Sequence, residues 1–376
     1  MKIKKYILPY STEDIKFVNN QITDILKSGY LTDGGKYINL VESKWANYVG
    51  TKEAIAVNSC TTALELALRV LDVTNKSVIV PTYTFFATPL SVHNAGGKII
   101  YADIDQNTLS LSLKSIKEKI TLDTKVIILV HVGGYITDEI FEIKKYCSDH
   151  NIILIEDAAC AHGSIINNNK AGSIGDISTF SFHHSKVLTS GEGGFINTNN
   201  SKWASRLRRM RSIGLDRNIN NWEVFEIGNN YKMSEITAAI ALLHINKADR
   251  IISERRELAK YYDQNIQFNK NFKKLNTSCK NSYYKYVIFV NKNLKQKLYN
   301  YLKDANIELP PSIYSYMCSN QNINTKINSL NHNDKFKSAQ IAIDTNLCLP
   351  MYNGITNSER TYIVEQLNNF IKKYND

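Results

Sequence analysis

The sequence predicts an α/β protein in which a mostly parallel sheet flanked by helices is followed by a smaller α+β domain. Two patterns carry this expectation. From about residue 52 to 200, short apolar β-rich runs alternate with helical ones, and strand, helix, strand at that spacing implies parallel strands covered on both faces. Beyond residue 234 helical periodicity dominates, and a chain of 376 residues exceeds the usual span of one core.

In chain order, residues 77–80, 98–101, 126–130, 152–155 and 194–197 read as strands, and 62–71, 88–94 and 138–150 as helices between them. A long helical pattern covers 234 to about 265, with an apolar stripe of Ile236, Ile240 and Leu243 and a surface of Arg255, Arg256 and Glu257. At about 1.5 Å per residue it is long enough to bridge two domains. The expected boundary lies inside it, giving a large domain over 1–245 and a small one over 246–376. The small domain is expected to hold a strand at 284–290, a helix at 294–305 and a closing helix at 358–374. The Asn- and Lys-rich stretch 319–337 reads as a long polar loop, and no internal repeat is visible.

Composition narrows the class. A 43% hydrophobic and 22% charged chain is ordinary for a soluble globular enzyme. No apolar run approaches 18 residues and no apolar segment follows the first lysines, so a cytoplasmic protein without membrane contact is expected. Six dispersed cysteines without a CxxC pair suggest buried, reduced thiols and no metal site or disulfide framework. The net charge of +11 is compatible with nucleic acid, a membrane or an anionic small substrate. Its densest stretch, 202–217, carries apolar residues at helical spacing, which reads as a solvated helix face or, alternatively, an anionic-ligand site, and not as a nucleic-acid-binding tail.

Three segments carry chemistry. Lys186 lies in SFHHSKVLTSGEGG (181–194), a Gly-rich turn after one strand and before another, where its amine can reach a carbonyl group or simply occupy a loop. Ile155-Glu156-Asp157 ends an apolar strand in two carboxylates, at the end where open α/β sheets bind ligands; a helix cap or a metal ligand is the other reading. Val57 to Leu64 is a short strand entering a helix through Ser59, Thr61 and Thr62, which suits a phosphate or plain capping.

Together these segments resemble the DegT/DnrJ/EryC1/StrS family of sugar aminotransferases, which depend on pyridoxal 5'-phosphate and have the fold type I architecture of aspartate aminotransferase. NSCTTALELAL (58–68), PTYTFFAT (81–88), EDAACAHGS (156–164), SFHHSKVLTSGEGG and GNNYKMSEITAA (228–239) carry the resemblance in order. It implies that Lys186 is the Schiff-base lysine and Asp157 the partner of the pyridine nitrogen. Thr61, Thr62 and Ser181 would hold the phosphate, Phe85 would stack on the ring, and Asn230 would reach the phosphate from the other subunit of a homodimer. The implied reaction moves an amino group from an amino acid, expected to be L-glutamate, through the pyridoxamine form to a nucleotide-linked keto-sugar.

Departures from the family pattern leave alternatives. Cys160 stands where the family has a Gln beside the cofactor's phenolic oxygen, and Cys60 where a glycine is usual. The usual His-Tyr pair before the substrate pocket is replaced within Pro310-Pro311-Ser312-Ile313-Tyr314-Ser315-Tyr316, so a smaller phosphorylated ketone such as dihydroxyacetone phosphate is a second acceptor class. Arg208, Arg209 and Arg211 would serve either anion. A non-catalytic cofactor-binding regulator is a third reading, against which the joint presence of Lys186 and Asp157 argues. Relatives that dehydrate replace the lysine by histidine; here Lys186 is present and His184 lies two residues earlier.

Overall fold

A computed structural model describes residues 2–4, 10–32, 35–216 and 223–374, so that Arg217 of the basic stretch lies outside the described residues. The chain opens with α1 (Thr12–Ser28) and α2 (Lys36–Val49), then alternates β1 (Glu53–Val57), α3 (Cys60–Val70), β2 (Ser77–Pro81), α4 (Ala87–Asn94), β3 (Lys98–Ala102), α5 (Leu113–Lys119), β4 (Thr124–Val130), α6 (Ile140–Asp149) and β5 (Ile153–Asp157). The short pair β6 (Ile165–Ile166) and β7 (Asn169–Lys170) precedes β8 (Ile177–Ser181), β9 (Gly194–Thr198), α7 (Ser201–Arg211), α8 (Glu235–Asn246) and α9 (Ala248–Asn265). The C-terminal part holds β10 (Phe272–Lys274), β11 (Tyr286–Val290), α10 (Lys292–Asp304), α11 (Lys337–Thr345), β12 (Asn346–Leu349) and α12 (Asn357–Lys373).

Seven strands form one sheet in the order β1-β9-β8-β5-β4-β2-β3. The pairs from β8 through β5, β4 and β2 to β3 are parallel, whereas β9 runs antiparallel to both β8 and β1. The parallel strands are apolar on both sides, and successive residues feed two cores. Ile79, Ile127 and Leu154 pack towards α2, α6 and α8, while Val78, Val80 and Ile128 pack towards α3, α4 and α7. This two-sided burial is why these strands read as continuous apolar runs. A three-stranded antiparallel sheet, β10-β11-β12, forms a third core with α9, α10 and α12.

The polar stretch 319–337 is largely loop, and it closes the open edge of the large sheet. Ile99 exchanges backbone bonds with Asn328 and Leu330, and the Asn331 amide binds the N–H and the carbonyl of Tyr101, both at 2.8 Å. Asparagine fits this task because one side chain both donates and accepts, which satisfies the unpaired edge of β3.

The expected single helix over 234–265 is two helices. It breaks at Lys247, whose backbone (φ −106°, ψ 6°) leaves the helical region. Ser234 caps α8 through the Thr237 N–H. α8 is apolar nearly all round and is buried through Ala238, Ala241, Leu242 and Ile245 against α1 and α2. The expected stripe is only partly the buried face: Leu243 is 4% exposed, whereas Ile236 is 38% exposed. Among the described residues, no helix is long and apolar enough to cross a membrane.

Candidate active site

The carboxyl ends of β2, β4, β5 and β8 meet the start of α3 around a cavity of about 620 Å³, the place where an open α/β sheet exposes backbone and side chains to a ligand. Segments 284–285, 310–316 and 349–351 of the C-terminal part close its other side.

Asp157 ends β5 and is 5% exposed. Its carboxylate accepts the Thr88 hydroxyl at 3.0 Å and the Ala159 N–H at 3.2 Å. No cation of the described residues pairs with it within 4.0 Å. Burial therefore pushes its pKa up, only partly offset by Thr88, Ala159 and the more distant Lys186. Its neighbour Glu156 points to the other side of the strand and is fully satisfied by His131 at 2.8 Å and the N–H groups of Gly172, Ile174 and Gly175. Burial would raise Glu156, but these donors outweigh it and hold the group below its usual range. One carboxylate of the pair thus anchors the turn at 172–175, and the other faces the cavity without a counter-charge.

Lys186 sits in the turn after β8, where its N–H bonds the His183 carbonyl. Its Nζ lies 3.2 Å from Cys160 Sγ and 4.7 Å from the centre of the Tyr284 ring. Cys160 is 6% exposed and lines the cavity, as does Ser181 at the end of β8. At the start of α3, Ser59 caps the helix through the Thr62 N–H, while Thr61 lines the cavity. The Thr62 hydroxyl is turned to Asn58 Oδ1 at 2.8 Å and Ser59 Oγ at 2.9 Å. Gly194 lets β9 pass this helix start, since a Cβ there would meet Ser59 and Cys60 backbone at 2.7 Å. Phe85 lines the cavity although 60% exposed, a large ring held at the wall with one side open. Asn230 is exposed, with its N–H on Asn229 Oδ1, and does not line the cavity within one chain.

These residues fit pyridoxal phosphate. A protonated pyridine nitrogen supplies both the donor and the positive charge that buried Asp157 lacks. The amino end of α3, opening on the cavity through Ser59, Cys60 and Thr61, suits the phosphate dianion, and Lys186 would supply the amine for the carbonyl carbon.

The basic stretch has a different role from the anion site proposed for it above. Arg206 pairs with Glu226, Arg208 with Glu53, Arg209 with Asp216 and Glu226, and Arg211 with Glu42, and none of them lines the cavity. Conversely, Arg255, expected on a surface, is 8% exposed and lines the cavity. The signal was in the helix phase: Ile252, Arg255, Leu258 and Tyr262 share the buried stripe of α9. Thr88, Tyr284 and Tyr314 at the cavity were also not singled out as site residues from the sequence; Thr88 reaches Asp157 across 69 residues of chain, a contact no local pattern encodes.

Cys160 gives a first prediction. Cys160→Gln is expected to keep the fold and cofactor uptake and to shift the pH at which the bound cofactor changes absorbance by about one unit, because a strong amide donor replaces a weak thiol. Spectrophotometric titration checks this, and an identical titration in both proteins would show that position 160 does not touch the cofactor.

Comparison with known proteins agrees with this geometry. The family model for the DegT/DnrJ/EryC1/StrS aminotransferase family matches residues 12–368. A GDP-perosamine synthase of Escherichia coli O157:H7 is 36% identical over 263 residues, 70% of this chain and 72% of that protein. A GDP-perosamine synthase of Vibrio cholerae is 34% identical over 242 residues, covering 64% and 65%. With this and similar curated relatives, the match spans slightly under two thirds of their length. Among solved structures, an aminotransferase of Helicobacter pylori involved in the biosynthesis of pseudoaminic acid superposes with a TM-score of 0.90 at 25% identity, covering 99% of this chain and 100% of that one. The E. coli GDP-4-keto-6-deoxy-D-mannose-3-dehydratase with bound hydrated pyridoxal phosphate gives a TM-score of 0.88 at 26% identity, covering 98% and 100%. With a family model spanning nearly the whole chain and a cavity whose lining residues fit the cofactor, this chain belongs to the DegT/DnrJ/EryC1/StrS family of pyridoxal-phosphate-dependent aminotransferases.

Proposed function

We propose that this protein transfers the amino group of L-glutamate to a nucleotide-linked keto-deoxysugar. The observation that carries this reading is the pairing, in one cavity, of the Lys186 amine with a buried Asp157 carboxylate that lacks a cation. Bound pyridoxal phosphate supplies a carbonyl carbon that accepts an amine and a ring that takes up electrons. Asp157 would hold the ring nitrogen's proton, Thr88 orients Asp157 through its hydroxyl, Phe85 would lie against the ring, and Thr61 and Ser181 would hold the phosphate. Lys186 Nζ would hold the cofactor's carbonyl carbon at rest and would move a proton to and from the donor Cα. A dehydratase reading loses its usual histidine here, because a lysine occupies position 186.

The acceptor class draws on the names of relatives: GDP-perosamine synthases and a Campylobacter jejuni UDP-4-amino-4,6-dideoxy-N-acetyl-beta-L-altrosamine transaminase, 33% identical over 290 residues. The test is a panel of ketones offered to the pyridoxamine form. A nucleotide-linked 4-keto-6-deoxysugar should restore the pyridoxal spectrum and dihydroxyacetone phosphate should not. Restoration by the small keto-phosphate alone would contradict the assignment.

The same reading makes the enzyme a homodimer with shared sites, Lys186 from one chain and Asn230 from the other. Asn230→Asp should inactivate, because it sets a carboxylate against the cofactor phosphate. Mixed with Lys186→Ala protein under subunit exchange, it should recover about half the normal activity per heterodimer, since one site escapes both lesions. Heterodimers without recovery would place both residues in one chain's site.

A further inference from the structure

The Lys186 amine shares its end of the cavity with a thiol. Its Nζ donates to Cys160 Sγ at 3.2 Å, although the two residues are 26 positions apart in the chain. Cys160 lies in the turn after β5, where the Ala161 N–H bonds the Ala158 carbonyl, and Lys186 lies in the turn after β8, where its N–H bonds the His183 carbonyl. β5 and β8 are neighbouring parallel strands, so two turns anchored on one sheet hold sulfur and nitrogen in contact. Both side chains line the cavity of about 620 Å³, where a small solute can reach them.

Burial sets the other five cysteines apart. It pushes Cys60, Cys147, Cys279, Cys318 and Cys348 up, which keeps them in the thiol form at neutral pH, and the thiolate is the form that reacts with peroxide. Of these, only Cys60 lines the cavity. Cys160 instead stands beside a cation, the surrounding in which cysteines react. The amine is suited to the second half of such a reaction. Burial pulls the Lys186 pKa down, but the Cys160 sulfur and Tyr284 outweigh it and hold the group above its usual value. Oxidation of the sulfur removes the first of those supports, so that burial then favours the neutral, nucleophilic amine.

We propose that Cys160 and Lys186 form an oxidation site, at which hydrogen peroxide joins Sγ to Nζ in a reversible covalent link. The O–O bond breaks, one oxygen bonding to Sγ to give a sulfenic acid and the other leaving as water; the sulfur loses two electrons and the peroxide gains them. The Nζ lone pair then attacks Sγ, the S–O bond breaks, and the departing hydroxyl takes a proton from nitrogen and leaves as a second water. One thiol, one amine and one hydrogen peroxide thus give one N–S bond and two waters. An amine already in contact outpaces a second peroxide, so the sulfur stops short of irreversible oxidation. Added thiol reverses the link: a first molecule takes the sulfur as a mixed disulfide and releases the amine, and a second frees the cysteine. The link needs only the two side chains; that it shuts out the cofactor rests on the aminotransferase reading above, in which the same amine carries pyridoxal phosphate.

Full-length protein free of cofactor, treated with a small excess of hydrogen peroxide, should lose about two mass units, and its digest should contain the peptide of Cys160 joined to that of Lys186, separated again by dithiothreitol. Covalent loading with pyridoxal phosphate, read by borohydride reduction, should fall about tenfold in the treated protein and return after dithiothreitol. Protein loaded with pyridoxal phosphate beforehand should form the link at least about tenfold more slowly, because its amine is engaged. Cys160→Ala should not form the link, and Cys60→Ala should. A disulfide between Cys60 and Cys160, a Cys160 sulfinic acid, or an unmodified Cys160 in the treated wild type overturns the assignment. The wild-type peptide map decides this without either variant, so a Cys160→Ala protein that does not fold leaves the result intact. Untreated protein that carries pyridoxal phosphate on Lys186, with no link after peroxide, refutes only the oxidation site; a link in protein that never takes cofactor on Lys186 refutes only the aminotransferase reading.

Discussion

Lys186→Ala protein is expected to fold, to bind the cofactor without a covalent link, and to lose aminotransfer by at least about 10⁴-fold. The size follows from two roles vested in one amine, tethering the carbonyl carbon and moving the donor's Cα proton; proton transfer alone contributes about 10²–10⁴. One other lysine among the described residues lines the cavity. Lys285 is committed to the Pro311 carbonyl at 2.7 Å and lies 5.7 Å from the centre of the Tyr284 ring. Lys285→Ala is therefore the control, and it should retain the covalent cofactor. Steady-state and single-turnover rates check both variants. Residual turnover within tenfold of wild type in Lys186→Ala would assign the amine to another residue.

Asp157→Asn is expected to slow cofactor conversion by glutamate about 10²–10³-fold, because a neutral amide cannot hold the ring nitrogen's charge, an electrostatic contribution of about 3 kcal/mol or more. Its effect on stability has the opposite sign in the absence of cofactor. The Asp157 pKa is raised in the folded protein, chiefly by burial, so its favourable contribution is present below the unfolded pKa and is lost as pH rises through the folded value. At neutral pH the cofactor-free variant should melt no lower than cofactor-free wild type. Added pyridoxal phosphate should then stabilise the wild type more, since the ring's charge offsets the buried carboxylate only there. Equal rates, or equal stabilisation of both proteins by cofactor, would remove Asp157 from the role given to it.

The parts of this site that the sequence disclosed are those in which a local pattern is also the functional pattern. A strand that runs into carboxylates at Asp157, a helix that begins with hydroxyl residues after Asn58, and a lysine in a Gly-rich turn each lie on contiguous chain, and the fold gathers them at the carboxyl ends of β5 and β8 and at the start of α3. The apolar strands were legible because burial on both faces leaves little but Val, Ile and Leu. What stayed hidden depends on tertiary context. Lys247 interrupts the long helix where α8 passes from an all-round buried setting to the one-sided stripe of α9, and the composition of 234–265 is helical throughout. The arginines of α7 looked like an anion site because Glu42, Glu53 and Glu226, which pair with them, are distant in sequence. Arg255 and Arg256 are adjacent and identical in type, and the phase of the apolar stripe alone distinguishes the buried one.

The central claim is that the Lys186 amine carries the cofactor beside Asp157. Borohydride reduction of the cofactor-loaded protein, followed by proteolysis and mass mapping, reads that attachment directly. The reduced pyridoxyl group should be found on Lys186 in the peptide spanning 181–194. A pyridoxyl group on Lys285, or on any lysine other than Lys186, would contradict the account.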